Sequence, residues 1–267
     1  MTGGEGAGVL WIGGPPGAGK TTVARLLARR HGLRWYNADA HTWEHRDRAL
    51  AAGHTGAVRW EALSREERWS APVAEMFSMS LHRERGPMIL DDLRALPPAP
   101  LTVAEGTPVT PSVTGAEAAA VWLMPTPAVQ EARLAERGLE RGQRELYRFL
   151  VREIAEEVEA YGGATVVVDG SRSVEDTLAE VGKHLAAALA EGPTARTVAG
   201  RGELLRYANR AVVSQYLAFF ARPWAPGDPR TTVLAFACEC GADGCEEDVR
   251  LAVAAFPRSP VLAPGHG

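Results

Sequence analysis

Long apolar runs are missing from this 267-residue sequence, and none approaches the roughly 18 residues that a membrane-spanning helix needs. A basic excess is missing too, since 29 lysines and arginines stand against 33 aspartates and glutamates, for a net charge of −4. General affinity for nucleic acid or for anionic membranes needs that excess, so neither partner is expected. The first eight residues, MTGGEGAG, lack the basic start and apolar core of a secretory signal, and a cytoplasmic protein is expected.

Cysteine and lysine are scarce. All three cysteines lie between positions 238 and 245, and this odd number in one short segment excludes a disulfide framework. Lys20 and Lys183 are the only lysines among many arginines. A lysine kept at position 20 against that background indicates a site where an arginine would not serve.

Short apolar segments alternate with helical patterns over the first 190 residues. The predicted strands are 8–12, 33–38, 101–104, 119–124 and 164–168. This alternation predicts an α/β fold, with a five-stranded parallel sheet covered by helices on both faces. Residues 1–190 would form a nucleotide-binding domain, 191–201 a linker and 202–267 a small α+β module.

The clearest motif lies between the first predicted strand and the first helix. There the sequence matches G-x-x-x-x-G-K-[ST] completely. Its glycines let backbone N–H groups surround a phosphate, Lys20 would neutralise the β- and γ-phosphates, and Thr21 would bind Mg²⁺. An incidental lysine in a Gly/Pro-rich turn is the disfavoured alternative. The predicted nucleotide-binding residues are Gly14, Pro15, Pro16, Gly17, Ala18, Gly19, Lys20, Thr21 and Thr22.

Two carboxylates follow predicted strands. Asp39 comes after the second strand, and Glu105 with Gly106 closes the third. The carboxyl ends of parallel strands line the ligand crevice, so these residues and the nearby His41 are predicted to contact substrate. Asp39 would orient or deprotonate the acceptor, unless it only caps the following helix. Glu105 would also help Thr21 to hold Mg²⁺.

A rival to Glu105 is the string Met-Ile-Leu-Asp-Asp at 88–92. The preceding Gly86-Pro87 leaves too few apolar residues for a buried strand, and the leucines that follow continue a helical period. Glu105 is therefore the preferred strand-end carboxylate.

Arginines recur at helical spacing between positions 133 and 152. Arg133, Arg137 and Arg141 are predicted to form a lid that stabilises the charge of the transferring phosphoryl group. Glycines at 138 and 142 would make this part mobile, whereas Arg148 and Arg152 are expected at the surface. The alternative is a solvated helix face with i,i+4 ion pairs throughout.

The order of these motifs resembles the P-loop kinases of the nucleotide, shikimate and gluconate kinase group, from residue 8 to about 190. The resemblance implies transfer of phosphate from ATP, with Mg²⁺, to a small hydroxyl or phosphate acceptor. It places residues 41–86 in the acceptor-binding region, where tryptophans would either shape a pocket or, as is more common, form core. It also places a loop near adenine, formed by Asp169, Gly170, Ser171 and Arg172.

The cysteine tail is the last candidate site. Cys238, Cys240 and Cys245 supply three thiolates, and His266 would complete a tetrahedral structural zinc site. The tail resembles small Cys-x-Cys-x4-Cys endings of bacterial proteins of unassigned role. Asp243 as the fourth ligand, free thiols and a redox switch of the first two cysteines are the alternatives.

Together these features predict an ATP-dependent kinase acting on a small molecule. The alternative is a nucleotide-gated regulatory protein whose P-loop domain controls the contacts of the C-terminal module with a protein partner. A toxin-like or antibiotic-modifying kinase would differ only in its acceptor.

Overall fold

A parallel sheet forms the centre of the molecule, which a computed structural model describes over residues 8–115 and 118–267. Its five strands lie in the order β2-β3-β1-β4-β5, and every neighbouring pair is parallel. The α/β prediction is confirmed. The strands are β1 (Val9–Gly13), β2 (Arg34–Asn37), β3 (Thr102–Glu105), β4 (Ala120–Pro125) and β5 (Thr165–Val168).

Helices cover both faces of this sheet, as predicted. Leu10 and Ile12 of β1 pack with the first and tenth helices on one face, while Trp11 packs with Tyr36 and Ile89 on the other. This two-residue alternation is expected of a strand buried on both sides. The helices are α1 (Lys20–His31), α2 (Thr42–Ala51), α3 (Thr55–Ala62), α4 (Arg65–Ser70), α5 (Val73–Ser80), α6 (Arg85–Arg94), α7 (Pro111–Thr114), α8 (Pro127–Glu136), α9 (Arg141–Tyr161), α10 (Val174–Glu191) and α11 (Val198–Phe220).

Two long helical predictions divide into shorter helices. Residues 41–86 contain α2 to α5 and the start of α6, and short turns separate them. The 127–160 stretch breaks between α8 and α9, where Gly138 has a φ of +60° and Glu140 caps α9. Residues 88–92 belong to α6 with Ile89 buried, whereas Glu105 is the last residue of β3.

The C-terminal module combines α11 with an antiparallel hairpin, β6 (Val233–Ala237) and β7 (Asp248–Ala252). Strand β7 was not predicted from the sequence. Helix α11 begins inside the predicted linker because the Thr197 side chain accepts a hydrogen bond from Gly200 N. It then runs along β2, which is one of the two edge strands of the parallel sheet.

Within the described ranges, no helix has the length and apolar character that crossing a bilayer requires. Residues 1–7, on which the absence of a secretory signal was predicted, lie outside these ranges.

Candidate active site

The phosphate loop joins β1 to α1 in the conformation that the motif requires. Gly14, Gly17 and Gly19 have φ angles of +130°, +84° and +94°. A Cβ atom on Gly14 would also collide with the Leu123 carbonyl oxygen of the neighbouring strand. Glycine is therefore needed at position 14 for both conformation and space.

Lys20 is buried at the first residue of α1. Its Nζ donates to the Pro15 carbonyl oxygen at 3.0 Å and to Thr107 Oγ1 at 3.4 Å. Burial lowers the pKa of Lys20, and the nearby carboxylates Asp39 and Glu105 oppose this shift. The ammonium is thus held at the mouth of the loop, beside two acidic groups.

Glu105, buried at the end of β3, pairs with the exposed Thr21 of α1. Thr21 Oγ1 donates to Glu105 Oε1 at 3.1 Å, and the strand register puts Glu105 level with Ile12 and Asn37. Burial, and then the charge of Asp39, raises the pKa of Glu105 to about 8. Its Oε2 is buried and has no hydrogen-bond partner in the part of the chain that is described. A hydroxyl beside an unsatisfied carboxylate oxygen suits a hard divalent cation such as Mg²⁺.

Asp39 lies in a 3₁₀ turn, Ala38–His41, immediately beyond β2. Asn37 caps this turn by accepting from Asp39 N at 2.8 Å. The Asp39 carboxylate itself is 55% exposed and lies 3.9 Å from Arg85 Nη1. The capping function thus falls to Asn37, and the Asp39 carboxylate lines the cavity next to the phosphate loop.

Arg85, which sequence reasoning missed, is buried behind Asp39. It donates to the Ala38 carbonyl oxygen and, at 3.3 Å, to His45 Nδ1. His45 Nε2 in turn lies 2.7 Å from Asp92. Because Arg85 donates to Nδ1, His45 carries its proton on Nε2, and burial lowers its pKa. This chain of contacts fixes the guanidinium beside Asp39.

Lys20, Thr21, Asp39 and Arg85 meet in one cavity of about 450 Å³ at the carboxyl edge of the sheet, while Glu105 and His45 are buried outside its lining. Its walls come from the phosphate loop, from the segments after β2 and β3, from the α5–α6 region, from α9 and from α11. The lining side chains beyond the phosphate loop include Asp39, Thr42, Ser80, His82, Arg85, Thr107, Arg137, Tyr147 and Gln215. Burial, followed by the charge of Arg85, lowers the pKa of His82 to about 4, so this imidazole is neutral.

Comparison with known proteins places this site within a family. Residues 9–159, just over half of the chain, match the AAA domain family. The chain belongs to the AAA domain family. The match includes the phosphate loop, Asp39, Glu105 and Arg133, and it confirms the P-loop relationship that the motif order predicted.

Several individual proteins resemble the chain over the same region. A UPF0200 protein of Pyrobaculum aerophilum is 28% identical over 189 residues, which are 66% of this chain and 96% of that protein. A shikimate kinase of Acinetobacter baumannii, solved with shikimate, has a TM-score of 0.43 at 19% identity and covers 70% of this chain and 95% of its own. An unliganded sugar kinase of a Janibacter species has a TM-score of 0.37 at 18% identity, covering 68% and 96% respectively.

The three predicted lid arginines of the AAA domain lie in different surroundings. Arg133 Nη1 donates to the Gly17 carbonyl oxygen at 2.7 Å, and Arg137 lines the cavity. Arg141 lies outside it, 88% exposed and paired with Glu145 at 2.8 Å. Arg141 is the first residue of α9 and follows the break between the two helices, so the regular spacing does not continue on one face.

Other predicted substrate residues lie outside the cavity. His41 stacks on Tyr36 with ring centroids 4.6 Å apart and faces a separate groove beside α11. Gly106 has a φ of +156°, and a Cβ atom there would collide with Ala38. Glycine is therefore needed at this position for the path of the backbone. The loop predicted near adenine is an exposed turn in which Ser171 N and Oγ donate to Asp169.

The tryptophans of 41–86 are core residues. Trp60 is buried with Met76, Met79 and Leu150, as the structural alternative predicted. Arg46 is buried over the Trp60 ring at 4.7 Å and donates to the Met79 carbonyl oxygen.

Thr107, two residues beyond Glu105, could have been found from its place after a strand. Arg85, Tyr147 and Gln215 carry no such local signal.

Beyond the AAA domain, the structure brings the four predicted zinc ligands together. The ligand atoms of Cys238, Cys240, Cys245 and His266 all lie within 4.8 Å of one another. His266 Nδ1 is 3.4 Å from Cys238 Sγ and 3.5 Å from Cys245 Sγ. Asp243 pairs with Arg201 at 2.6 Å instead. The cluster is compatible with a tetrahedral metal site.

Proposed function

We propose that this AAA-domain protein is an ATP-dependent phosphotransferase that moves the γ-phosphoryl group to a hydroxyl or phosphate of a small molecule. The observation that carries the proposal is that Lys20, Thr21 and Asp39 line one cavity, in which Thr21 bonds the buried Glu105. A bare nucleotide-binding loop does not need the polar chamber that extends from Asp39 towards α5 and α9. That chamber has room for an acceptor.

For a hydroxyl acceptor, the acceptor oxygen bonds to the γ-phosphorus while the bond to the β–γ bridging oxygen breaks and ADP leaves with that electron pair. Asp39 orients the hydroxyl and takes its proton. Lys20, Arg133 and Arg137 stabilise charge on the phosphoryl oxygens. Thr21 and Glu105 would hold Mg²⁺, which neutralises the phosphates when bound.

The test uses labelled Mg·ATP and a panel of nucleosides, sugars, sugar acids and hydroxylated antibiotics. Lys20→Ala should lower transfer at least about a hundredfold by removing a transition-state charge, and Asp39→Asn should lower transfer while Mg·ATP still binds in calorimetry. Lys183→Ala is the matched control, because this second lysine is exposed on α10 and its one ion-pair partner among the described residues is Glu180. Transfer that Lys20→Ala leaves unchanged would overturn the proposal.

A regulatory protein gated by nucleotide is the second candidate, and ion pairs between α1 and the C-terminal module favour it. Arg25 and Arg29 of α1 pair with Asp248 at 2.9 and 2.7 Å. Helix α1 starts at the phosphate loop, so a bound nucleotide and the module share one rigid element. Tight Mg·ATP binding with no transfer to any compound of the panel would support this candidate over the kinase.

We propose in addition that the Cys3His cluster holds a structural Zn²⁺. Support comes from the backbone of Ala263, whose N–H donates to Cys238 Sγ at 3.2 Å as is common around metal-bound thiolates. Purified protein should contain one zinc per chain by elemental analysis, and His266→Ala should lose most of it. Asp243→Asn is the matched control and should keep its zinc. A chain free of zinc after purification without chelators would overturn this assignment.

A further inference from the structure

Gln215 belongs to α11, beyond the AAA-domain match, and yet it lines the cavity that contains Lys20, Asp39 and Arg85. The C-terminal helix therefore reaches the chamber that the acceptor would occupy. The proposed chemistry does not use this residue.

The hydrogen bonds of Gln215 determine which atoms it offers. The backbone N–H of Trp43 donates to Gln215 Oε1 at 3.0 Å. A backbone N–H is only a donor, so the amide oxygen must face Trp43. The amide nitrogen has no hydrogen bond to another residue of the described ranges. Both of its N–H groups are thus available to a molecule in the cavity.

The segment that follows α11 is fixed against α2 and α3. Arg222 pairs with Asp47 at 2.5 Å, and its guanidinium lies 4.3 Å from the Trp43 ring centroid. Trp224 Nε1 donates to Glu61 at 2.7 Å. These contacts join α11 to α2 and α3, so Gln215 is held in place before any ligand binds.

The amino half of α11 is fixed by the C-terminal module. The Asn209 amide donates to the Ala237 carbonyl oxygen at 2.9 Å and to Glu239 at 2.7 Å, and it accepts from Ala237 N. Arg206 pairs with the same buried Glu239 at 3.1 Å. One helix thus connects the cysteine-bearing loop with the wall of the chamber.

We propose that α11 forms a wall of the acceptor pocket and that Gln215 donates a hydrogen bond to an oxygen of the acceptor, which makes it a specificity-determining residue. The acceptor class is therefore a compound with a second oxygen, a hydroxyl, carbonyl or carboxylate, besides the group that faces Asp39. This inference rests on the proposed phosphotransferase function.

The test compares two variants at this position. Gln215→Glu keeps an oxygen for Trp43 N but removes both donors, whereas Gln215→Met removes the amide altogether. Each should raise the KM of the acceptor found in the panel about tenfold or more. The reason is that an acceptor oxygen left without a hydrogen-bond donor in the site binds more weakly by about that factor. The KM for Mg·ATP and the melting temperature of Gln215→Glu should stay at the wild-type values.

Ser214→Ala is the control, because this neighbouring side chain is exposed and faces a different groove. An acceptor KM of Gln215→Glu within twofold of wild type would overturn the inference while leaving the kinase assignment intact. Failure of the wild type to phosphorylate any compound of the panel would instead overturn the proposed function, and this inference with it.

Discussion

The phosphate-binding edge of the sheet and the C-terminal module are held in place by different forces. Leu10, Ile12 and Val103 bury the central strands in an apolar cluster, and Trp11 and Ala104 do the same on the opposite face. The hairpin of the module instead leaves Val233 46% exposed and has few fully buried apolar residues. Strand register therefore sets the positions of Lys20 and Glu105, whereas the module depends on polar contacts and on its cysteine cluster.

Glu239 illustrates this dependence within the module. Its buried carboxylate accepts from Asn209, Arg206 and Val261 N, so both of its oxygens have hydrogen-bond donors. Glu239 lies between Cys238 and Cys240, and this network therefore orients the loop that carries the proposed metal ligands. A buried network of this kind specifies geometry only while all its members are present.

Loss of the proposed metal site should produce the largest difference between the two regions. Cys238→Ser removes one of the proposed ligands without a chelator that would also strip Mg²⁺, and it should destabilise the module by about 4 kcal/mol or more, as loss of a structural metal does. Hydrogen exchange should show lost protection in 233–252 and retained protection in 9–31. Mg·ATP binding should remain within about threefold of wild type, because apolar burial holds the phosphate loop.

Ala242→Ser is a control for this variant, since it places a hydroxyl at an exposed position of the same loop and leaves all four proposed metal ligands in place. If Cys238→Ser abolished Mg·ATP binding, the two regions would form one cooperative unit and the contrast between them would be wrong.

Sequence patterns predicted the local parts of the site. The phosphate loop is contiguous from Gly14 to Thr22, and its chemistry follows from residue types at fixed spacing. Asp39 and Glu105 were predictable because strand ends of a parallel sheet converge on one edge. The four proposed zinc ligands were predictable because the three cysteines of the chain lie within eight residues, and His266 is the histidine that follows them.

The remaining cavity residues depend on tertiary packing. Arg85 reaches Asp39 only because α6 packs behind β2, with Ile89 buried against Trp11 and Tyr36. Gln215 reaches the chamber only because α11 packs along β2, an edge strand of the sheet. The arginine spacing failed at Arg141 for a related reason, since a helix break between 137 and 140 resets the face on which each arginine lies.

The smallest effects are expected from substitutions of two arginines that join the two regions, one with a buried and one with an exposed side chain. Arg29 and Arg30 are neighbours on α1, and both pair with the segment that follows Cys245. The Arg29 side chain is only 4% exposed and bonds Asp248 at 2.7 Å, whereas that of Arg30 is 36% exposed. Arg29→Ala should therefore lower the free energy of unfolding by about 1–3 kcal/mol, since it removes a buried guanidinium and its part-buried hydrogen bond to a charged partner.

Arg30→Ala should leave the urea midpoint unchanged within error at high salt, because exposed ion pairs contribute little and are screened. Urea titrations of both variants at low and high salt make the comparison. Equal effects of the two substitutions would mean that simple charge attraction docks the module on α1. A salt-independent loss confined to Arg29→Ala would mean that the hydrogen bonds of its buried guanidinium to Asp248 and to the Glu246 carbonyl oxygen hold it there.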